Sequence, residues 1–181
     1  MTQEKMSNYR WTISAMIFFA TSINYLDRAV ISLLKSDLEK IYNWSESDYS
    51  NLVICFQIAY AVGLLFAGRF IDKVGTKIGY AVSVGTWSLA AASHAFASTV
   101  FGFGAARAFL GLTEAGNFPS AIKTVAEWFP KKERALATGI FNSGANIGAI
   151  IAPLTVPFIA INYGWQWAFI GTGILGFIWL F

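Results

Sequence analysis

Residues 11–34 read WTISAMIFFATSINYLDRAVISLL, a run of apolar and small residues broken by one adjacent pair of charges, Asp27 and Arg28. The apolar positions are continuous and do not alternate, which argues against a barrel strand. The run is long enough to cross a bilayer core as a helix, which takes about 20 residues. Two opposite charges inside such a segment are expensive, and their presence needs a reason.

The rest of the chain repeats the pattern. Of its 181 residues, 56% are hydrophobic and 13% charged, whereas soluble domains carry about 45–50% and about 25%. A mean hydropathy of +0.54 agrees, and the class indicated is an all-α polytopic membrane protein. Six apolar segments stand out, at roughly 11–34, 51–72, 78–98, 100–128, 135–159 and 165–181, the last still running where the chain stops. The first run is long and is followed by further spans, so it reads as a helix of the body and not as a cleaved signal. The net charge of +3 is poor evidence for nucleic-acid binding, because the basic residues are confined to particular connections. The single cysteine, Cys55, excludes an intramolecular disulfide and a cysteine-cluster metal site.

The connections set an orientation. Lys5 and Arg10 precede the first segment; the second connection with its edge holds Arg69, Lys73 and Lys77, and the fourth with its edge holds Lys123, Lys131, Lys132 and Arg134. The polar stretch Lys35–Ser50, read as a modest loop, offsets its lysines with Asp37, Glu39, Glu46 and Asp48, and the third and fifth connections hold neither Lys nor Arg. Positive residues gather on the cytoplasmic side, so the N-terminus is expected there. Trp11 and Trp128 then fall at cytoplasmic ends, and Trp44 and Trp165 near the outer face. Asn43-Trp44-Ser45 matches a glycosylation acceptor, for which chance is the better account.

Four charged residues lie deep inside the expected spans, away from their ends: Asp27, Arg28, Arg107 and Glu114. At roughly 2.5–3.5 kcal/mol each near a helix centre, together they cost on the order of 10 kcal/mol. One account is a pair of salt bridges that lock the first and fourth spans. Buried ion pairs seldom outdo apolar packing for stability, however, and ionisable residues at this depth mark ion or substrate pathways. Arg107 and Glu114 stand seven apart, two turns along one face, which Asn117 continues, with Gly111 leaving room for an approach to the backbone and Pro119 able to bend the helix just beyond. Arg28 shares a face with Asn24 and Tyr25, while Asp27 points about 100° away. Gln57 and Tyr60 add polar groups to the second span. Asn142 and Asn146 share a face of the fifth, with Ser143, Gly139, Gly144 and Gly148; packing and pathway lining both remain open there. His94 reads as an interfacial residue.

The second connection, G68-R-F-I-D-K-V-G-T-K77, places Gly68, Asp72, Lys73, Gly75 and Lys77 in a very short turn. Glycines permit tight helix ends, and Asp72 suits a helix N-terminus. This spacing resembles the signature between helices 2 and 3 of the major facilitator superfamily, where it serves as a cytoplasmic gate. "NYLDRA", "RAFLGLTEAGNFPSA", "EWFPKKERALATGIFNSGANIGAIIAP" and "WQWAFIGTGILGFIW" extend the resemblance to its anion:cation symporter family. That family takes up sugar acids in bacteria and includes sialic-acid, phosphate and glutamate carriers in animals. The wording after the second span and around the fourth to sixth is most similar to bacterial hexuronate transporters.

The resemblance implies a twelve-helix fold in two halves, of which this chain matches the N-terminal one, two inverted three-helix repeats; the C-terminal six-helix half is missing. It also implies a secondary transporter and not an enzyme, with no cofactor beyond a coupling ion, a proton or else sodium. The partners implied are a small anionic sugar acid such as glucuronate or galacturonate, the bilayer of the bacterial inner membrane and the missing half, with no nucleic acid and no metal. Carried over by position, Asp27 and Glu114 are the protonation sites. Arg107 partners the acidic residues and links their protonation to closure. Arg28, Tyr25 and Tyr60 contact substrate, and the residues themselves suggest Gln57, Asn142 and Asn146 as further substrate contacts. Galactonate, glucarate or a dicarboxylate is the nearest alternative cargo, and a non-transporting membrane sensor or structural protein is the alternative from another class.

Overall fold

The computed structural model describes residues 8–181, so Lys5 lies outside the described residues. Among these residues the regular structure is helical throughout: α1 (Tyr9–Leu33), α2 (Lys35–Tyr42), α3 (Glu46–Val74), α4 (Thr76–Ser93), a 3₁₀ turn (His94–Phe96), α5 (Val100–Glu114), α6 (Asn117–Trp128), α7 (Arg134–Tyr163) and α8 (Trp165–Trp179).

Local chemistry accounts for the ends. Ser45 and Asp48 form a reciprocal capping box at the start of α3, and Thr99 accepts from Gly102 N–H at the start of α5. Two junctions are a single glycine, Gly75 between α3 and α4 (φ 83°) and Gly164 between α7 and α8 (φ 95°). A side chain at such φ is strained, so glycine is what lets the chain reverse in one residue.

Two sequence expectations change here. The polar stretch after α1 is not a loop: α2 follows at a 47° bend, and only Asn43, Trp44 and Ser45 separate it from α3. The fourth segment is not one rod either, because the helix breaks at Ala115–Gly116 between α5 and α6. By length and hydropathy α3 and α7 can each cross a membrane alone, and α1 with α2 qualifies as a bent pair. Large apolar side chains face outward along them, as at Leu65 (72% exposed), Leu154 (72%) and Ile161 (83%). That is the surface of a bundle whose solvent is lipid.

Packing is reciprocal. The most intimate pairings are α1 with α7 and α3 with α5, followed by α4 with α8. Small residues make the first two possible. A Cβ at Gly148 would collide with the Ser22 carbonyl of α1, and one at Gly111 with the Phe56 carbonyl of α3. The core falls into two apolar clusters. One holds Ile17, Ala20, Phe56, Leu110 and Phe141; the other holds Leu26, Leu52, Phe103, Ala152 and Phe169. The seam between them crosses α1 between residues 20 and 26 and α5 between residues 103 and 110. Asn24 and Arg107 fall within those intervals, and Asp27, Arg28 and Glu114 lie within a turn or so of them.

Candidate functional site

Helical phase sends the two charges of the opening stretch to different neighbours. Arg28 Nε donates to Glu114 Oε2 at 2.5 Å, joining α1 to α5; the guanidinium side chain keeps 24% of its surface open while Glu114 is fully buried. Three rings wrap the same cation, Tyr60 at 4.4 Å, Tyr25 at 5.0 Å and Phe56 at 5.3 Å. Asp27 is buried near Thr172 of α8, whose hydroxyl donates to the Phe169 carbonyl; neither Asp27 carboxylate oxygen has a hydrogen-bond partner among the described residues, and Arg107, Glu114 and Arg28 are its charged neighbours. Asn24 is fully buried beside them on α1.

Arg107 is buried on α5, and its Nε and Nη2 have no hydrogen-bond partner among the described residues; its guanidinium lies 5.7 Å from the centroid of the Phe56 ring. The seven-residue spacing made Arg107 the natural partner of Glu114, but the direct partner is Arg28. Of the two salt bridges weighed from sequence, the described residues form this one between the first and fourth spans.

Other sequence candidates are placed as follows. Tyr25 and Tyr60 meet on Arg28, Tyr25 being partly open. Gln57, Asn142 and Asn146 stand exposed, outside that hydrogen-bonded group among the described residues. Gly144 and Gly148 pack on α1 but Gly139 faces open space, so the three glycines do not act alike. Gly111 is filled by α3 backbone and leaves no opening for a ligand. Asn117 does not extend the Arg107–Glu114 face, since the helix breaks before it; it accepts from the Tyr80 hydroxyl at 2.7 Å and its Nδ2 donates to Thr21. His94 is fully buried rather than interfacial, stacked on Phe169 at 4.9 Å with Nδ1 on the Ala90 carbonyl.

At the end of the bundle holding α3–α4, Asp72 meets a side chain and not a helix terminus. Lys123 Nζ donates to it at 2.7 Å, and Thr76 Oγ1 donates to Glu127 at 2.7 Å. Gly75 makes the turn, Gly68 has open space where a Cβ would stand, and Lys73 and Lys77 are exposed. Arg10 Nε binds Glu133 at 3.0 Å, tying α1 to the residue before α7.

The sequence reading missed Phe56, Thr172 and Lys123 as parts of these groups. Phe56 carried a faint signal, standing one turn before Tyr60 on α3. Thr172 carried none, as threonine in an apolar helix is commonplace.

The arrangement pairs a partly open cation, ringed by aromatic faces, with buried carboxylates. A planar guanidinium so placed suits a carboxylate ligand.

The Major Facilitator Superfamily profile matches residues 17–181. The chain is 38% identical over 175 residues to a hexuronate transporter of Escherichia coli, covering 97% of this chain and 40% of that protein. It is 34% identical to a galacturonate transporter of Dickeya chrysanthemi, covering 97% of this chain and 51% of that one. The chain thus spans about two-fifths to half the length of these relatives. Its fold matches an inward-facing, unoccupied bacterial homologue of the human lysosomal transporter Spinster (TM-score 0.83, 19% identity, 98% of this chain and 43% of that one). It also matches the proton:xylose symporter XylE (TM-score 0.79, 20% identity, 97% and 44%). These relatives are transporters and not enzymes. With a profile match over nearly its whole length and the helical arrangement of the N-terminal half of that fold, this chain belongs to the Major Facilitator Superfamily.

Proposed function

We propose that the chain forms the N-terminal half of a proton-coupled symporter that takes up an anionic sugar acid, a hexuronate such as glucuronate or galacturonate, by alternating access. The observation that carries this reading is the Arg28–Glu114 pair under Tyr25 and Tyr60. A carboxylate substrate competes with Glu114 for Arg28, and protonating Glu114 removes the competitor. Asp27, buried beside Thr172 and Arg107, is the second proton site. Sugar hydroxyls find donors and acceptors in Tyr25, Tyr60, Gln57, Asn142 and Asn146. Gly68, Asp72, Lys73, Gly75 and Lys77 form the cytoplasmic gate, with the N-terminus in the cytoplasm of a bacterial cell and the chain in its inner membrane. A second six-helix half supplies the other wall of the site.

The test is uptake by the complete protein in proteoliposomes. Asp27→Asn and Glu114→Gln should each abolish accumulation of glucuronate driven by a proton gradient; wild-type accumulation in both sinks the proton assignment. Accumulation driven equally by a sodium gradient would reassign the coupling ion.

A second reading has its own support. The chain is 31% identical to a galactonate transporter and 34% identical to a probable galactarate/glucarate transporter, both of Escherichia coli. A panel of labelled sugar acids decides between the cargoes.

A further inference from the structure

We propose that Phe56 is a positioning residue that decides which arginine pairs with Glu114: its ring holds Arg107 off the carboxylate, so that Arg28 takes it. The inference rests on the reading of Arg28 as the substrate's cation and Glu114 as a proton site.

Glu114 has two cations to choose from. Arg107 lies two turns earlier on the same helix, about 10.5 Å along the axis, a gap that an extended arginine and glutamate can bridge between them. Arg28 must come from another helix. Yet Arg28 holds the carboxylate, and Arg107 is left buried with two donor nitrogens unfilled. A desolvated cation seeks the nearest carboxylate unless something obstructs it and offers compensation. The Phe56 ring is the group beside Arg107 that offers the compensation, and its bulk is what we assign the obstruction to. It lies 5.7 Å from the Arg107 guanidinium and 5.3 Å from that of Arg28, so one aromatic quadrupole serves both cations.

The ring is enclosed and its backbone is held. Its residue is 6% exposed, its carbonyl is pressed against Gly111 of α5, and its ring stacks on Tyr60 at 5.9 Å. The charged and titratable groups facing this centre are Tyr25, Asp27 and Arg28 from α1, Tyr60 and Tyr49 from α3, Arg107 from α5 and His94 from the 3₁₀ turn. Of the two arginines only Arg28 is open enough to meet a ligand. If Arg107 held Glu114, a proton on that carboxylate would leave Arg28 unaffected. With Arg28 holding it, proton and substrate act on one ion pair.

Two measurements on the complete protein test this. The first is free of substrate: melting temperatures for a double-mutant cycle of Arg28→Met with Glu114→Gln, and another of Arg107→Met with Glu114→Gln, each in wild-type, Phe56→Leu and Phe56→Trp backgrounds. The strong coupling should lie with Arg28 in wild type and in Phe56→Trp, and move to Arg107 in Phe56→Leu. Coupling that stays with Arg28 once the ring is gone overturns the proposal. Phe56→Met replaces the leucine variant if that protein does not fold.

The second is glucuronate affinity against pH. In wild type and Phe56→Trp it should weaken as pH rises, by up to about tenfold per unit. In Phe56→Leu the dependence should flatten, because Arg28 is free at every pH; an unchanged slope counts against the idea. If wild type binds no sugar acid while the coupling moves as described, the pairing role of Phe56 stands and the transport reading falls.

Discussion

Gly139 and Gly148 both lie inside α7, and the same substitution should have opposite effects at the two. Alanine is favoured over glycine in a helix interior by about 0.8–1.0 kcal/mol, and this gain applies to both. At Gly139 nothing lies within 4 Å of the added Cβ, so the gain stands alone. At Gly148 the Cβ meets the Ser22 carbonyl oxygen, with Leu26 N and Tyr25 Cβ each at 3.1 Å. Two of these are backbone atoms that no rotamer change can move. Overpacking of this kind costs about 1–3 kcal/mol, and the upper part of that range applies where backbone must shift. Gly139→Ala should therefore stabilise by up to about 1 kcal/mol, and Gly148→Ala should destabilise by about 1–2 kcal/mol net. Thermal unfolding of the purified complete protein in detergent reads the difference. Because Ser22 and Leu26 flank the residues that position Asp27 and Arg28, Gly148→Ala should also weaken sugar-acid binding, which Gly139→Ala should leave alone. A Gly148→Ala protein that melts at or above wild type would refute the close α1–α7 contact on which the placement of Arg28 depends.

Other substitutions probe other contacts. Arg28→Met strips the buried Glu114 of its partner and should cost about 3 kcal/mol, the low end for a broken buried pair because the guanidinium is a quarter open; adding Glu114→Gln should recover most of the lost melting temperature. Asp72→Asn removes a pair exposed on the aspartate side, so stability should change by less than about 1 kcal/mol, while the transport rate in proteoliposomes should change. Gly75→Ala forces a side chain to φ 83° and should destabilise by roughly 1–2 kcal/mol, visible as lowered melting temperature; an unchanged melting point would mean that the α3–α4 turn relaxes freely.

Much of the fold was legible because membrane solvation writes itself into composition. Continuous apolar runs, charges confined to connections and the Gly75 turn each follow from local rules. The Ala115–Gly116 break was only half legible: Pro119 signalled a bend just beyond Asn117, but the apolar run resumes after it and reads as one segment. Helix α2 was hidden for the converse reason: its Lys, Asp and Glu residues read as loop, although it ends in a left-handed Asn43 as short surface helices do.

The sequence by itself determined that α1 and α5 carry charges at membrane depth, and that Asp27 and Arg28 leave their helix about 100° apart. Their separation into different surroundings followed from helical phase alone. What only the tertiary structure decided is who answers each charge. Spacing along one helix names the residues that share a face; it says nothing of what another helix brings to that face. Arg107 and Glu114 share a face yet do not pair directly, because Gly111 lets α3 approach closely with the Phe56 ring beside Arg107, and Gly148 lets α1 deliver Arg28 to the carboxylate. Close backbone contacts between distant segments set those partners, and no local pattern encodes them.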